Sequence, residues 1–372
     1  MPDTPLRICS RCVMDSYDIN ISFDAEGRCN LCTEYLESTH LHTYKGAESD
    51  AKLVAMIEQI KKAGKGKKYD CIIGVSGGVD SIYLTYMAVQ WGLRPLAVHM
   101  DNGWNARVAV ENIKRALDKL GVDLDTEVLD WLEFRDLQLS FLKASVPEAE
   151  NPTDMVIMGV LHKAARKYRI KYILSGSNYV TEGILPKFFQ YNPKDLRYLK
   201  AIHRRFGSVK LKTFPAFGFR HEFIYKFLYG KRILYPLNFI KYGKETASET
   251  LIYELGWEPY SGKHHESVYT KFIHGYWLPK KFNIDYRKAT FSTMICAGEM
   301  NRKEALEKLK AIPWNEDLIN REIEYVAKKL GITYDYLIQL IESKPKFYWE
   351  YPNADKVLEF GYKIYRLLKG RR

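Results

Sequence analysis

The sequence predicts an α/β protein: a parallel, doubly wound sheet with an N-terminal four-cysteine zinc ribbon and a helical C-terminal region. Three observations carry that prediction. From residue 69 onward, short apolar runs alternate with helical runs, as in a parallel sheet covered on both faces. The first of these strands ends in "GVSGGVDS", residues 74–81, at a strand-to-helix junction. Four of the six cysteines fall in the first 32 residues, as two C-x₂-C pairs.

The elements follow in order. Residues 48–65 read as a helix, with Leu53, Met56, Ile57 and Ile60 at 3–4 spacing, closed by the breaker "KKAGKGKK". "YDCIIGV" is a strand, "SIYLTYMAVQW" a helix, "RPLAVHM" a strand, and "NARVAVENIKRALDKLG" a helix ending at Gly121. "DTEVLD" is the third strand; helices over 133–145 and 154–168 and the strand "IKYILSG" follow. Residues 177–235 break the rhythm with an aromatic and basic stretch, and from 243 the chain reads as helices. The expected units are a zinc-binding unit over 1–45, a nucleotide-binding domain over 46–260 carrying the insertion 177–235, and a helical region over 261–372.

The chain has 372 residues and a formal charge of +12, with 46% hydrophobic and 27% charged residues. That is the balance of a globular protein with an anionic partner, whether nucleotide, phosphosugar, nucleic acid or membrane surface. No apolar run reaches 18 residues, and "MPDTPLRICSRC" has no apolar core of a signal peptide. A cytoplasmic location and no transmembrane segment are therefore expected.

In "GVSGGVDS", Gly77 and Gly78 permit a tight turn, and the helix behind them points its free N–H groups at the loop. Such a junction binds phosphate. Ser76 and Ser81 add hydroxyl donors, and Asp80 is placed to hold Mg²⁺ against phosphate oxygens. It is neither a Walker A loop nor G-x-G-x-x-G. The form S-G-G-x-D-S resembles the PP-loop of the ATP pyrophosphatases, the adenine nucleotide alpha hydrolase-like superfamily. Its members include GMP and NAD synthetases, asparagine synthetases and tRNA thiolases.

The resemblance implies ATP cleavage between the α- and β-phosphates, with AMP placed on a substrate oxygen. It also implies that "AVHMDNGW" lies near adenine and ribose, with Val98, His99, Asp101 and Asn102 close by. "ILSGSNYVTEG" corresponds to the second active-site loop, giving Gly176 to the nucleotide, Asn178 to the substrate, and Glu182 to the substrate or a second Mg²⁺ contact; Glu182 reads equally well as a solvated loop residue. Lys241 or Lys244 in "YPLNFIKYGKETA" is a candidate phosphate contact, or a plain surface lysine.

Cys9, Cys12, Cys29 and Cys32 have the spacing of a four-thiolate structural zinc site. An iron–sulfur cluster or a redox pair is the alternative. Four thiolates leave no open position, so this zinc is not expected to be catalytic.

Two branches of the superfamily join a PP-loop domain to a cysteine knuckle. Against a tRNA thiolase stands the lack of a second C-x₂-C: Cys71 falls in a strand and Cys296 far from the loop. In favour of the other branch, "LGWEPYSGKHHESVYTKFIHGYWLPKKFNIDYRKATFSTMICAGEMNRKEAL" and "ICSRCVMDSYDINISFDAEGRCNLC" resemble the N-acetyl sugar amidotransferases of bacterial surface polysaccharide and LPS O-antigen synthesis. That resemblance implies adenylation of the acetamido oxygen of a nucleotide-linked sugar and displacement of AMP by ammonia. Ser76 and Asp80 would be catalytic, joined by Lys263 and His265; Lys263, His264, Glu266, Arg287 and Lys288 would meet the sugar or its phosphates. A structural network among these residues is the competing reading. ATP, Mg²⁺ and structural Zn²⁺ are the implied cofactors. Pro2 and the lack of a G-x-C-x-G elbow argue against an internal glutaminase, so ammonia is expected free or from glutaminase and channel subunits resembling those of imidazole glycerol phosphate synthase. No nucleic acid is expected; a zinc-ribbon RNA binder with an inactive loop is the reading from another class.

Overall fold

The computed structural model describes residues 6–18, 20–186, 192–260 and 266–369. Five parallel strands form one sheet: β1 (Cys71–Gly74), β2 (Pro95–Asp101), β3 (Leu124–Val128), β4 (Tyr172–Leu174) and β5 (Arg232–Leu234). Their order is β3-β2-β1-β4-β5. The direction of winding therefore reverses between β1 and β4, which opens a crevice above their carboxyl ends.

Successive residues of β1 explain the two layers. Ile72 faces one core and Ile73 the other, and both are fully buried. The Ile73 side gathers Ala97, Leu174 and the helices α3 (Val79–Gln90) and α4 (Arg107–Leu120). The helix Lys244–Leu255 closes this layer through Ala247, Leu251 and Leu255. The Ile72 side gathers Leu96, Val98 and Ile173 against α6 (Asn151–Lys167) and against Trp277, Ile323 and Val326 of the C-terminal helices. Each such aliphatic side chain contributes about 2 kcal/mol by leaving water. The helical C-terminal region is thus part of the sheet's second face.

The expected helices form within a few residues of their expected ends: α2 spans Ala47–Gly64, α5 Trp131–Ala144 and α6 Asn151–Lys167. α5 starts early because Asp130 accepts the N–H of Glu133. α4 ends at Gly121, whose left-handed φ of 63° lets its N–H turn back to the helix. The first helix, α1 (Asn30–His42), extends directly from the second cysteine pair.

The aromatic-basic stretch is more ordered than its sequence suggests. It contains the helix Leu196–Phe206, which buries Tyr198, Leu199 and Ile202 against Leu137 and Phe141 of α5 and turns Arg204 and Arg205 outward. It also supplies β5. Two buried carboxylates of α5 pin the connecting loop: Asp136 accepts the N–H groups of Ser208 and Val209, and Glu133 those of Lys212, Thr213 and Phe214. Phe223, Phe227 and Leu228 remain exposed. Among the described residues, no helix is long and apolar enough to cross a membrane.

Candidate active site and metal centre

The turn after β1 is built from its own backbone. Gly77 holds φ +87°, and a Cβ there would stand 2.6 Å from the Ala109 carbonyl oxygen. No L-residue meets both demands without strain. Gly78 opens α3 without a side-chain cap, so the first turn of the helix faces the crevice. Ser76 and Ser81 brace the turn: Ser76 Oγ accepts the Gly78 N–H at 3.3 Å, and Ser81 Oγ donates to the Gly78 carbonyl at 3.0 Å.

The loop is also gripped from outside. Trp257 Nε1 donates to the Gly77 carbonyl at 2.8 Å, and Tyr260 Oη donates to the same oxygen at 3.0 Å. Asn112 fixes that arm by accepting the Glu258 N–H and donating to the Glu258 carbonyl, both at 2.8 Å. Glu266 Oε1 lies 3.3 Å from where a Cβ on Gly78 would stand. The segment behind it is stitched to the loop after β2. The Ala106 N–H donates to the Glu266 carbonyl, and the Val268 N–H to the Trp104 carbonyl.

Asp80 stands at the switch point. Its Oδ1 accepts from Asn178 Nδ2 at 3.3 Å and from Tyr242 Oη. Burial and the Asp80 charge, joined by Glu182, drive the Tyr242 phenol far above its ordinary pKa, so it remains a donor. Gly176 brings the β4 loop against α3: a Cβ there would sit 3.1 Å from the Asp80 carbonyl. Asp80, Gly176, Asn178 and Glu182 thus lie together beside the turn at 76–81. A carboxylate held by neutral donors, beside an uncapped helix end and a glycine cradle, suits Mg²⁺ and a polyphosphate.

Other candidates are placed differently. His99 is buried, with Nδ1 bonded to the Val75 carbonyl at 2.8 Å and Nε2 paired with Asn105 Nδ2 at 3.0 Å, so it ties the β1 loop to the loop after β2 and both ring nitrogens are engaged. Asp101 Oδ1 accepts the Gly103 N–H and Asn105 Nδ2. Arg287 pairs with Asp285 at 2.7 Å and also donates to the Ala311 carbonyl, and Lys288 pairs with the buried Asp15 of the cysteine unit at 2.6 Å. Both basic residues are thus paired with carboxylates of this chain. Lys263, His264 and His265 lie outside the described residues. Sequence reasoning missed Tyr242, Trp257, Tyr260 and Asn112; Tyr242 stands between the two lysines considered there, and nothing local marks the rest.

The four cysteine sulfurs are buried and lie within 4.8 Å of one another. Cys9 Sγ and Cys32 Sγ are 3.8 Å apart, and Cys12 Sγ and Cys29 Sγ 3.6 Å. A tetrahedron with metal–sulfur bonds of about 2.3 Å has edges of about 3.8 Å, so the group fits zinc. Hydrogen bonding from Cys12, and from the backbone N–H groups of Cys29 and Arg11, lowers the Cys9 thiol pKa against the effect of burial. Arg302 donates to the carbonyls of Cys9 and Cys12, anchoring the knuckle to the C-terminal region. Cys296 packs against the same cluster.

Sheet order and crevice are those of a doubly wound α/β fold, and the loop at the end of β1 resembles the PP-loop. Residues 266–368 match the family model described as "LPS biosynthesis protein WbpG-like, C-terminal domain". An uncharacterized protein of Methanocaldococcus jannaschii is 25% identical over 169 residues, covering 40% of this chain; the chain spans 58% of that relative's length. Two solved structures are distantly similar. The NH3-dependent NAD synthetase of Campylobacter jejuni has 16% identity and a TM-score of 0.29, with 42% of this chain and 72% of that chain covered. The NMN synthetase of Francisella tularensis has 16% identity and a TM-score of 0.30, with 60% and 96% covered.

Proposed function

We propose that this protein is an ATP-dependent amidotransferase that converts the acetamido group of a nucleotide-linked N-acetyl sugar into an acetamidino group, in the synthesis of LPS O-antigen or a related surface glycan. One observation carries the reading most directly. The segment that matches the WbpG-like domain begins at Glu266, and Glu266 lies over Gly78 of the phosphate loop. In this reading the acceptor and ATP meet in one crevice.

The chemistry follows from the poor leaving ability of an amide oxygen. The acetamido oxygen attacks the α-phosphorus of ATP, and pyrophosphate departs into the turn at 76–81. Ammonia adds to the resulting imidate carbon, the C–O bond to AMP breaks, and a proton is lost. In this reading Ser76, Ser81 and the first turn of α3 hold the departing pyrophosphate. Asp80, with Glu182, would hold Mg²⁺, which would supply neutralisation of the phosphate charge. Asn178 and Tyr242 keep the Asp80 carboxylate aimed. Lys263, His264, His265 and Glu266 remain the candidates for sugar contacts, and ammonia is supplied free or by partner subunits. Zinc has a structural role.

Sulfur transfer is the weaker reading. Cys71 is fully buried in β1, where burial raises its thiol, and Cys296 packs against the zinc cluster. Neither is a carrier placed at the loop. The test is purified protein with ATP, Mg²⁺ and ammonium, given a panel of nucleotide-linked N-acetyl sugars and, separately, bulk tRNA. AMP and pyrophosphate release that depends on one sugar, with O replaced by NH in the product, supports the proposal. Turnover with tRNA alone overturns it.

A further inference from the structure

Residues 192–235 hold eleven Lys and Arg against two acidic residues, a net of +9 in a chain whose total is +12. The function proposed above leaves that concentration of charge unused. Yet the most exposed part of the stretch is apolar. The helix Phe219–Phe223 runs on as a wider, π-type turn, Ile224–Leu228, and Phe223, Ile224, Phe227 and Leu228 are 53%, 37%, 52% and 73% exposed. Arg220, Phe223, Ile224 and Phe227 share one helix face, and the Phe223 and Phe227 rings lie 4.7 Å apart. The opposite face carries Tyr225, whose ring meets that of His162 in α6 at 5.0 Å, and Glu222, which pairs with Lys194 at 2.8 Å. The helix is therefore seated on the protein by one side and exposed on the other.

Its last turn stands at the amino end of the sheet, away from the crevice. Arg232 opens β5, and its N–H donates to the carbonyl of Lys171, the residue before β4. Just ahead of it, the buried Lys231 donates to the carbonyls of Ala165 and Ile170 around the end of α6. The Arg166 guanidinium covers the Tyr229 ring at 5.0 Å. The linker before β1 reaches this end too: Lys67 Nζ donates to the Arg169 carbonyl at 3.1 Å. Lys65, Lys67, Arg166, Arg169, Lys171 and Arg232 are all exposed. The carboxylates Asp70, Asp123 and Asp125, at the amino ends of their strands, pair with Arg94, Lys68 and Lys167.

We infer that this end of the molecule docks on an anionic lipid surface, with Phe223, Ile224, Phe227 and Leu228 entering the headgroup layer and the exposed Lys and Arg at the amino end of the sheet resting on lipid phosphates. A helix with exposed Phe, Ile and Leu amid basic residues has the composition of an interfacial element, which lies on a membrane without crossing it. The charge disfavours a second copy of this chain, whose like face would repel it. Nucleic-acid readers stack bases on separate aromatic rings and read base edges with residues such as Ser, Asn and Gln. Here the two Phe rings pack on each other, and "FRHEFIYKFLY" contains none of those polar residues. At 73% exposed, Leu228 projects into solvent, a shape that a soft lipid layer accepts. Docked in this way, the molecule keeps the crevice at the carboxyl ends of its strands facing away from the lipid.

The test is sedimentation of the full chain with vesicles of phosphatidylcholine alone, or with about 30% phosphatidylglycerol added to supply negative charge. Partition onto the anionic vesicles is expected to be about tenfold or more stronger, and to fall about tenfold in about 0.5 M salt. Two double variants, Phe227→Ser with Leu228→Ser and Arg166→Glu with Arg232→Glu, should each weaken it about tenfold or more. All four side chains are exposed, so Tm should stay near that of the parent. Equal partition onto the two vesicle types overturns the inference. So does parent-like partition of the Phe227 and Leu228 variant, which would leave only adsorption by charge. A parent that ignores vesicles overturns it as well. In that event a dimer dissociated by Leu228→Ser assigns the face to a second copy, and tRNA binding lost in both variants assigns it to nucleic acid. Pyrophosphate release on the sugar panel is read without vesicles, so failure of either proposal leaves the other standing.

Discussion

The cysteine unit and the phosphate loop are both organised by a few residues close in sequence, yet they are held in opposite ways. The cysteine unit converges on itself: four like side chains from two knuckles point at one centre. The phosphate loop has no such convergence of like side chains. Its shape is imposed by glycine backbone, and its position by Trp257, Tyr260 and Tyr242 from far along the chain. A metal knuckle is therefore sensitive to loss of its own ligands, and a nucleotide loop to loss of distant supports.

Removing zinc should have the largest effect. Cys32→Ser, or a strong chelator, is expected to abolish metal binding and unfold residues 6–32, a loss of several kcal/mol read as metal content and a lowered Tm. Retention of the parent Tm without metal would erase the contrast. Asp80→Ala comes next: pyrophosphate release should fall about 100-fold, while zinc content and Tm hold. Undiminished release would contradict the role of this carboxylate.

Lys288→Ala probes the seam between the regions. It strands Asp15, which is 4% exposed, and should cost about 2 kcal/mol in thermal or denaturant unfolding. An unchanged stability would show that the cysteine unit docks without this pair. The smallest effect belongs to Tyr260→Phe, which leaves the Gly77 carbonyl with Trp257 alone. About 1 kcal/mol should be lost, seen as a several-fold rise in the ATP half-saturation with stability nearly unchanged.

The sequence was informative wherever a property is local. Four strands, the helices beside them, both C-x₂-C pairs and the loop at 76–81 could all be read from periodicity, spacing and glycine placement. β5 was not legible, because three residues between Gly230 and the Tyr235–Pro236 pair carry too short a pattern to show a period. Tyr242 was hidden for another reason. Its use depends on the sheet bringing residue 242 beside residue 80, and no local pattern encodes that approach. Arg287 and Lys288 show the converse. Their charge suggested phosphate, whereas the fold supplies carboxylates closer by.

The anchoring of the first knuckle by Arg302 reaches into how the chain is made. The cysteine unit is synthesised before the sheet, and its candidate ligands span 24 residues, from Cys9 to Cys32. Its landing surface is Ser292, Lys288 and Arg302, which bind the Val13 N–H, the Asp15 carboxylate and the Cys9 and Cys12 carbonyls. Those residues are synthesised nearly three hundred positions later, after every strand of the sheet. The cysteine unit is thus made long before the surface on which it docks, and its seating must wait for that surface.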